Sequence, residues 1–167
     1  MASKHVFATV GTTKFDLFIS SLSSQKILNI LYSQGYRTLT LQIGNGTVEP
    51  PTGEVEGIQV DYFRFKDSLA QDMQAADLVM SHAGAGSCLE ALEAGKPLIV
   101  VINEDLMDNH QMELASRLHQ DGHILYTICD ELHKTLENMD LRSLKPLPPA
   151  QPHTFARFLD ALFGFET

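Results

Sequence analysis

The sequence predicts an α/β protein: a doubly wound, mostly parallel sheet followed by a C-terminal helix. Three observations carry this reading. Short apolar, β-branched runs alternate with helical stretches of about a dozen residues. Glycine-containing turns interrupt the chain directly after strand-like runs. The length, 167 residues with 44% hydrophobic and 20% charged, suits one well-buried domain.

His5 to Val10 is apolar and β-branched and reads as a buried strand, stopped by Gly11-Thr12-Thr13. Apolar residues from Phe15 to Leu31 mark a helical region that Gly35 ends. Thr38 to Ile43 reads as the second strand, Glu49 to Gly53 as a surface loop and Ile58 to Phe63 as the third strand. Asp67 or Ser68 is placed to cap a helix reaching about Ala75. Leu78 to Met80 forms a strand that runs into Ser81-His82-Ala83-Gly84-Ala85-Gly86-Ser87, and a helix continues to Ala94. Pro97 to Ile102 is the next strand, with a helix from an Asp108 cap through Leu118. Ile124 to Ile128 and a helix opened by Asp130 complete the pattern. Residues 1–145 form the expected domain, and residues 146–167 a Pro-rich connector with a last helix. On that helix Phe155, Phe158, Leu159, Leu162 and Phe163 make an apolar stripe, either packed on its own domain or offered to a partner.

The net charge of −9 argues against non-specific nucleic-acid binding, which needs Lys and Arg against phosphates. It equally argues against docking on an anionic membrane. A nucleotide stays open as a ligand, because backbone amides at a helix start bind phosphate without net positive charge. Cys88 and Cys129 form neither a CxxC pair nor a disulfide framework and read as reduced structural residues. The opening Met1-Ala2-Ser3-Lys4-His5 lacks the apolar core of a signal peptide, and no apolar run is long enough to cross a bilayer. A cytoplasmic protein without direct membrane insertion is expected.

Ligands of open parallel sheets bind beyond the carboxyl ends of the strands. Two glycine-containing loops stand there, Gly11-Thr12-Thr13 and His82 to Ser87. Gly84 and Gly86 allow close backbone approach, Ser87 adds a hydroxyl, and His82 can donate to a phosphate oxygen. A diphosphate fits this donor set. A lone GxG is often only a packing turn. Leu89 stands where a dinucleotide fingerprint has its third glycine, and no Gly-Lys-Ser/Thr follows, so NAD and ATP fit poorly. Glu90, one helical turn after Ser87, suits two adjacent ribose hydroxyls; away from such a loop it would read as a solvated glutamate. Asn103-Glu104 and Asp108-Asn109-His110-Gln111 follow the next strand, where amides suit sugar hydroxyls and Asp108 alone is explained as a cap. The sequence holds no Asp-x-Asp, so no metal and no cofactor is expected at the diphosphate.

Ser81 to Glu90, continuing through Gly95-Lys96-Pro97 and Asn109-His110-Gln111, resembles the donor-binding signature of GT-B glycosyltransferases. Val10-Gly11-Thr12-Thr13, Phe15-Asp16, Leu41-Gln42-Ile43-Gly44 and Tyr62 to Leu69 narrow the resemblance. They are similar to the family of cytosolic subunits of the eukaryotic UDP-N-acetylglucosamine (UDP-GlcNAc) transferase that adds the second sugar to dolichyl-diphosphate-linked GlcNAc. The resemblance implies a Rossmann-like donor half and inverting transfer from UDP-GlcNAc. His82, Ser87 and the Gly86 backbone would hold the diphosphate, with Thr12 and Thr13 closing from the first loop. Glu90 would hold the ribose, Phe65-Lys66 would border the uracil, and Asn109 and Gln111 would face the GlcNAc. It also implies a membrane-anchored partner on the cytosolic face of the endoplasmic reticulum that carries the acceptor half and the lipid-linked GlcNAc. His110 departs from the wider pattern, in which an acidic residue often precedes the Gln. No general base is identified, and it can lie on the partner. A non-catalytic nucleotide-sugar scaffold is the alternative function; a UDP-sugar epimerase would need a second domain.

Overall fold

The computed structural model describes residues 3–103 and 109–145, excluding the side chains of 85 and 109–114. Seven strands form one sheet: β1 (Lys4–Thr9), β2 (Tyr36–Gln42), β3 (Gly53–Val55), β4 (Ile58–Phe63), β5 (Leu78–His82), β6 (Leu98–Ile102) and β7 (Leu125–Ile128). Their order is β3-β4-β2-β1-β5-β6-β7. Only β3 is antiparallel, paired with β4 in a hairpin at the sheet edge. The six parallel strands run β4-β2-β1-β5-β6-β7, the order of a Rossmann-type sheet, and the direction of winding reverses between β1 and β5.

The continuous apolar strands follow from cover on both faces. Because side chains alternate along a strand, Val6 and Ala8 of β1 enter one core while Phe7 enters the other. Ile99 and Val101 of β6 likewise join the first core, and Leu98, Val100 and Ile102 the second. The first core is closed by helices α1 (Asp16–Leu22), α2 (Gln25–Ser33) and α6 (Leu132–Asn138), through Phe18, Ile19, Leu28, Leu31, Leu132 and Leu136. The second lies under α3 (Ala70–Ala75), α4 (Ala85–Glu93) and α5 (Asn109–Gln120).

Several expectations are corrected. The single helical region after Phe15 is two helices, because Ser24 is extended (ψ 150°) and its side chain caps Ile27 N–H. Strand β3 starts inside the stretch read as loop. Helix α3 begins later than a cap at Asp67 or Ser68 implies: its N-cap is Leu69, and the Ser68 hydroxyl accepts from Ala70 N–H at 3.1 Å. A 3-10 turn, Cys129–Glu131, precedes α6. Cys88 is buried, and no disulfide links it to Cys129. The expected C-terminal helix, with Phe155, Phe158, Leu159, Leu162 and Phe163, lies outside the described residues. Among the described residues no helix is long and apolar enough to cross a membrane.

The loops beyond β1 and β2 are laced together. Asn45 donates its backbone N–H to Thr13 O at 3.0 Å and its amide to Thr12 O at 3.2 Å. The Asp16 carboxylate accepts from Thr47 N–H (2.9 Å) and the Thr47 hydroxyl (2.7 Å), which holds its pKa below the usual carboxylate range. The Arg64 guanidinium donates to Gly46 O at 2.7 Å and Gly44 O at 3.2 Å. At Gly44, φ is +58° and a Cβ would lie 2.2 Å from Thr13 O, a backbone atom that cannot swing aside. Gly53 has φ +88° with open space around it. Gly44→Ala should therefore lose clearly more stability than Gly53→Ala, about 3 kcal/mol or more against about 1 kcal/mol. Urea unfolding of the two variants tests this, and equal losses would contradict the close packing of the two loops.

Candidate functional site

A crevice of about 500 Å³ opens beyond the carboxyl ends of β1, β2, β4 and β5, where the winding reverses. Gly11, Thr12, Gln42, Phe65, Lys66, Leu69, His82, Gly84, Gly86, Ser87 and Glu90 line it. The site is built by two strand ends that diverge. The chain leaves β1 towards α1 on one face and leaves β5 into α4 on the other, so backbone is withdrawn from the space between.

The turn from β5 into α4 is pinned at one atom. The His82 carbonyl accepts from the Ser81 hydroxyl (2.8 Å), Gly84 N–H (2.8 Å) and the Cys88 thiol (3.7 Å). Burial pushes that thiol up to about 12, so Cys88 is a structural donor and not a nucleophile. Helix α4 starts without a side-chain cap, and its first intrahelical bond runs from Cys88 N–H to Gly84 O at 3.1 Å. The amides before Cys88 thus lack intrahelical acceptors. They meet the crevice at Gly86 and Ser87, where the positive end of the helix dipole favours an anion.

The His82 ring lies between two glycines. A Cβ on Gly11 (φ +63°) would sit 2.7 Å from His82 Nε2, and one on Gly84 would sit 2.3 Å from His82 Cε1. Burial lowers the imidazole pKa to about 4, so His82 is neutral at physiological pH. Protonation of His82 beside a phosphate therefore requires the phosphate itself to offset that desolvation.

Phe65, about half exposed, stands at the opposite wall beside Lys66. Lys66 Nζ lies 4.1 Å from the centroid of the Phe63 ring and 3.2 Å from an Asp72 carboxylate oxygen. Glu90 lines the same crevice, one turn along α4 from Ser87.

Gly11, Thr12, Phe65, Lys66, His82, Gly84, Gly86, Ser87 and Glu90 are therefore brought together as the sequence led one to expect. Thr13 is not among the lining residues: its hydroxyl donates to Val10 O at 2.9 Å and its carbonyl is taken by Asn45. Asn109 and Gln111 stand in the first turn of α5, beyond β6, and their side chains lie outside the described residues, as do Glu104 and Asp108. Sequence reasoning missed Gln42 and Leu69 as lining residues. The signal for Gln42 was faint: it is the third polar residue in the alternation Thr38-Leu39-Thr40-Leu41-Gln42, yet it is buried at the end of β2.

Residues 5–162 match the glycosyltransferase family 28 C-terminal domain. The human protein named UDP-N-acetylglucosamine transferase subunit ALG13 is 58% identical over 126 residues, which is 75% of this chain but 11% of that protein. The Eremothecium gossypii protein of the same name is 41% identical, with 93% of this chain and 91% of that one covered. The chain thus spans about a tenth of the human and mouse relatives and nearly all of a fungal one. The NMR solution structure of ALG13 superposes with a TM-score of 0.71 at 25% identity, covering 94% of each chain. The crystal structure of Acinetobacter baumannii MurG shares the fold, with a TM-score of 0.64 at 18% identity over 96% of this chain and 50% of that one.

The buried neutral His82 has a measurable consequence. Between its ordinary value of 6.5 and about 4, the unfolded chain binds a proton that the folded chain does not. Stability contributed at this site therefore rises with pH across that window and is lost as pH falls through it. Relative to His82→Gln, the wild-type protein should lose up to about 3 kcal/mol between pH 7 and pH 4. Urea unfolding of both proteins across this range reads the difference, and parallel pH profiles would contradict a desolvated imidazole.

Proposed function

The chain belongs to the glycosyltransferase family 28 C-terminal domain family, and from that premise we propose that it is the donor-binding subunit of an inverting UDP-GlcNAc transferase. The reaction proposed is addition of the second GlcNAc to GlcNAc-diphosphodolichol. The observation that carries this reading is the switch-point crevice, where an uncapped helix start, the Gly11 loop and Glu90 converge on a space of nucleotide size.

The amides at Gly86 and Ser87, the Ser87 hydroxyl and His82 would bind the diphosphate, with Gly11 and Thr12 closing over it. Glu90 would accept from the ribose hydroxyls. Phe65 and Lys66 would border the uracil, and Asn109 and Gln111 would face the sugar. In transfer, an acceptor hydroxyl attacks the anomeric carbon on the face opposite the diphosphate. The bond from that carbon to the diphosphate oxygen breaks and UDP leaves, while the hydroxyl proton passes to a base. The helix start and the donors around it stabilise charge on the departing UDP. This route places no metal between protein and diphosphate.

The acceptor is a lipid. A membrane-anchored partner subunit would supply the acceptor half and the base, holding this chain at the cytosolic face of the endoplasmic reticulum. The stripe Phe155, Phe158, Leu159, Leu162 and Phe163 is the proposed docking surface, since aromatic and aliphatic anchors of this kind dominate interfaces.

Transfer from UDP-GlcNAc to a lipid-linked GlcNAc acceptor, assayed with and without membranes carrying the partner, tests this reading. The chain alone should give no product, and the pair should give transfer with inversion. Glu90→Ala in the pair should raise KM for UDP-GlcNAc about tenfold or more, the cost of one charge-assisted hydrogen bond. Transfer by the isolated chain at the rate of the pair, or an unchanged KM in the variant, would contradict the proposal.

A further inference from the structure

Gln42 is 2% exposed, yet it lines the crevice. Its Oε1 accepts from the Thr9 hydroxyl, from Val10 N–H at 3.1 Å and from Gly11 N–H at 2.9 Å. Its Nε2 donates to Gly11 O at 2.8 Å and to Arg64 O at 2.7 Å. Both amide hydrogens and the carbonyl oxygen are therefore engaged, and the side chain cannot turn without breaking several bonds in a buried place.

The partners lie on two different walls. Gly11 is grasped at both its N–H and its carbonyl, which fixes the two peptide planes that meet at its Cα beside His82. Arg64 O belongs to the peptide immediately before Phe65. Meanwhile the backbones of β1, β2 and β4 continue their ladder at this level, with Val10 N–H to Gln42 O at 3.2 Å and Ile43 N–H to Phe63 O at 2.9 Å. One side chain thus ties the Gly11–Thr12 wall to the Phe65–Lys66 wall across the floor of the crevice.

We propose that Gln42 is a positioning residue that sets the separation of these two walls, and thereby selects a nucleoside diphosphate over the shorter nucleoside monophosphate. This rests on the reading that one wall receives the diphosphate and the other the base. A ligand reaching both walls depends on their spacing, whereas a monophosphate held at the base wall and the α4 start depends on it far less.

Calorimetry with UDP and with UMP on wild-type protein and Gln42→Met tests the proposal, with thermal melts to establish folding. The expected result is a fall of about tenfold in UDP affinity, with UMP affinity changed less than about twofold. Gln42→Glu, which keeps the side-chain length and the acceptor towards Gly11, is the second variant and is read by the same ratio. A UDP-to-UMP affinity ratio left unchanged in a folded variant overturns the proposal, whether both affinities fall together or neither falls. Failure of both variants to fold also overturns it, because the residue then serves only the fold. Wild-type protein that binds UDP no better than UMP overturns the nucleotide-diphosphate reading itself, and this inference with it.

Discussion

Everything at the site depends on the central pairing of β1 with two neighbours that the chain reaches in opposite directions. Parallel registers fix β1 to β2 through Val6 and Leu39 on one side, and to β5 through Val6 and Leu78 on the other. The loops leaving β1 and β5 must then diverge to opposite faces. The space they vacate is bordered at the strand ends by glycine backbone, at Gly11, Gly84 and Gly86, which lets an anion approach main-chain amides. The approach of Gly11 to the His82 ring shows how tightly the two loops converge at their base before parting.

A second constraint keeps the Gly11 loop in place. It is anchored from below by Gln42, from the side by Asn45, and at its exit by Asp16 through Thr47. Gln42, Asn45 and Thr47 all come from β2 or the loop after it, so the strand beside β1 serves as the scaffold for the first wall. The same strand, through Gln42 and Arg64 O, reaches the second wall. On the proposed reading, the donor half of such an enzyme preorganises its phosphate-binding backbone with buried polar bonds, and any acceptor-binding surface meets a site already formed.

Much of this was legible in the sequence. The strand and helix order followed from apolar runs and glycine punctuation, and both site loops were recognised from their place after strands. What escaped detection has physical causes. The helical region after Phe15 looks continuous because Ser23 and Ser24 are compatible with a helix, and only the extended backbone at Ser24 splits it. The β3–β4 hairpin turns on Glu56 and Gly57, both with positive φ (51° and 83°), and glutamate at such a position gives none of the Asn-Gly signal that announces a two-residue hairpin. Thr13 looks like a phosphate ligand beside Thr12, but its hydroxyl is needed to close the turn on Val10. Gln42 sits in a strand of alternating polar and apolar residues, and its partners, about thirty residues earlier and about twenty later, are invisible to local pattern.

The central claim is that a nucleotide sugar occupies the switch-point crevice between the β1 and β5 loops. Backbone amide chemical shifts of the isotope-labelled chain, followed through a titration with UDP-GlcNAc, test it most directly. The account predicts the largest shifts at Gly11, Thr12, Phe65, Lys66, Gly84, Gly86, Ser87 and Glu90. A competing hollow lined by Lys4, Tyr32, Gln34 and Arg37 lies at the other end of the sheet, where β1 and β2 begin. Shifts gathered there, with the crevice amides unmoved at saturating ligand, would contradict the account.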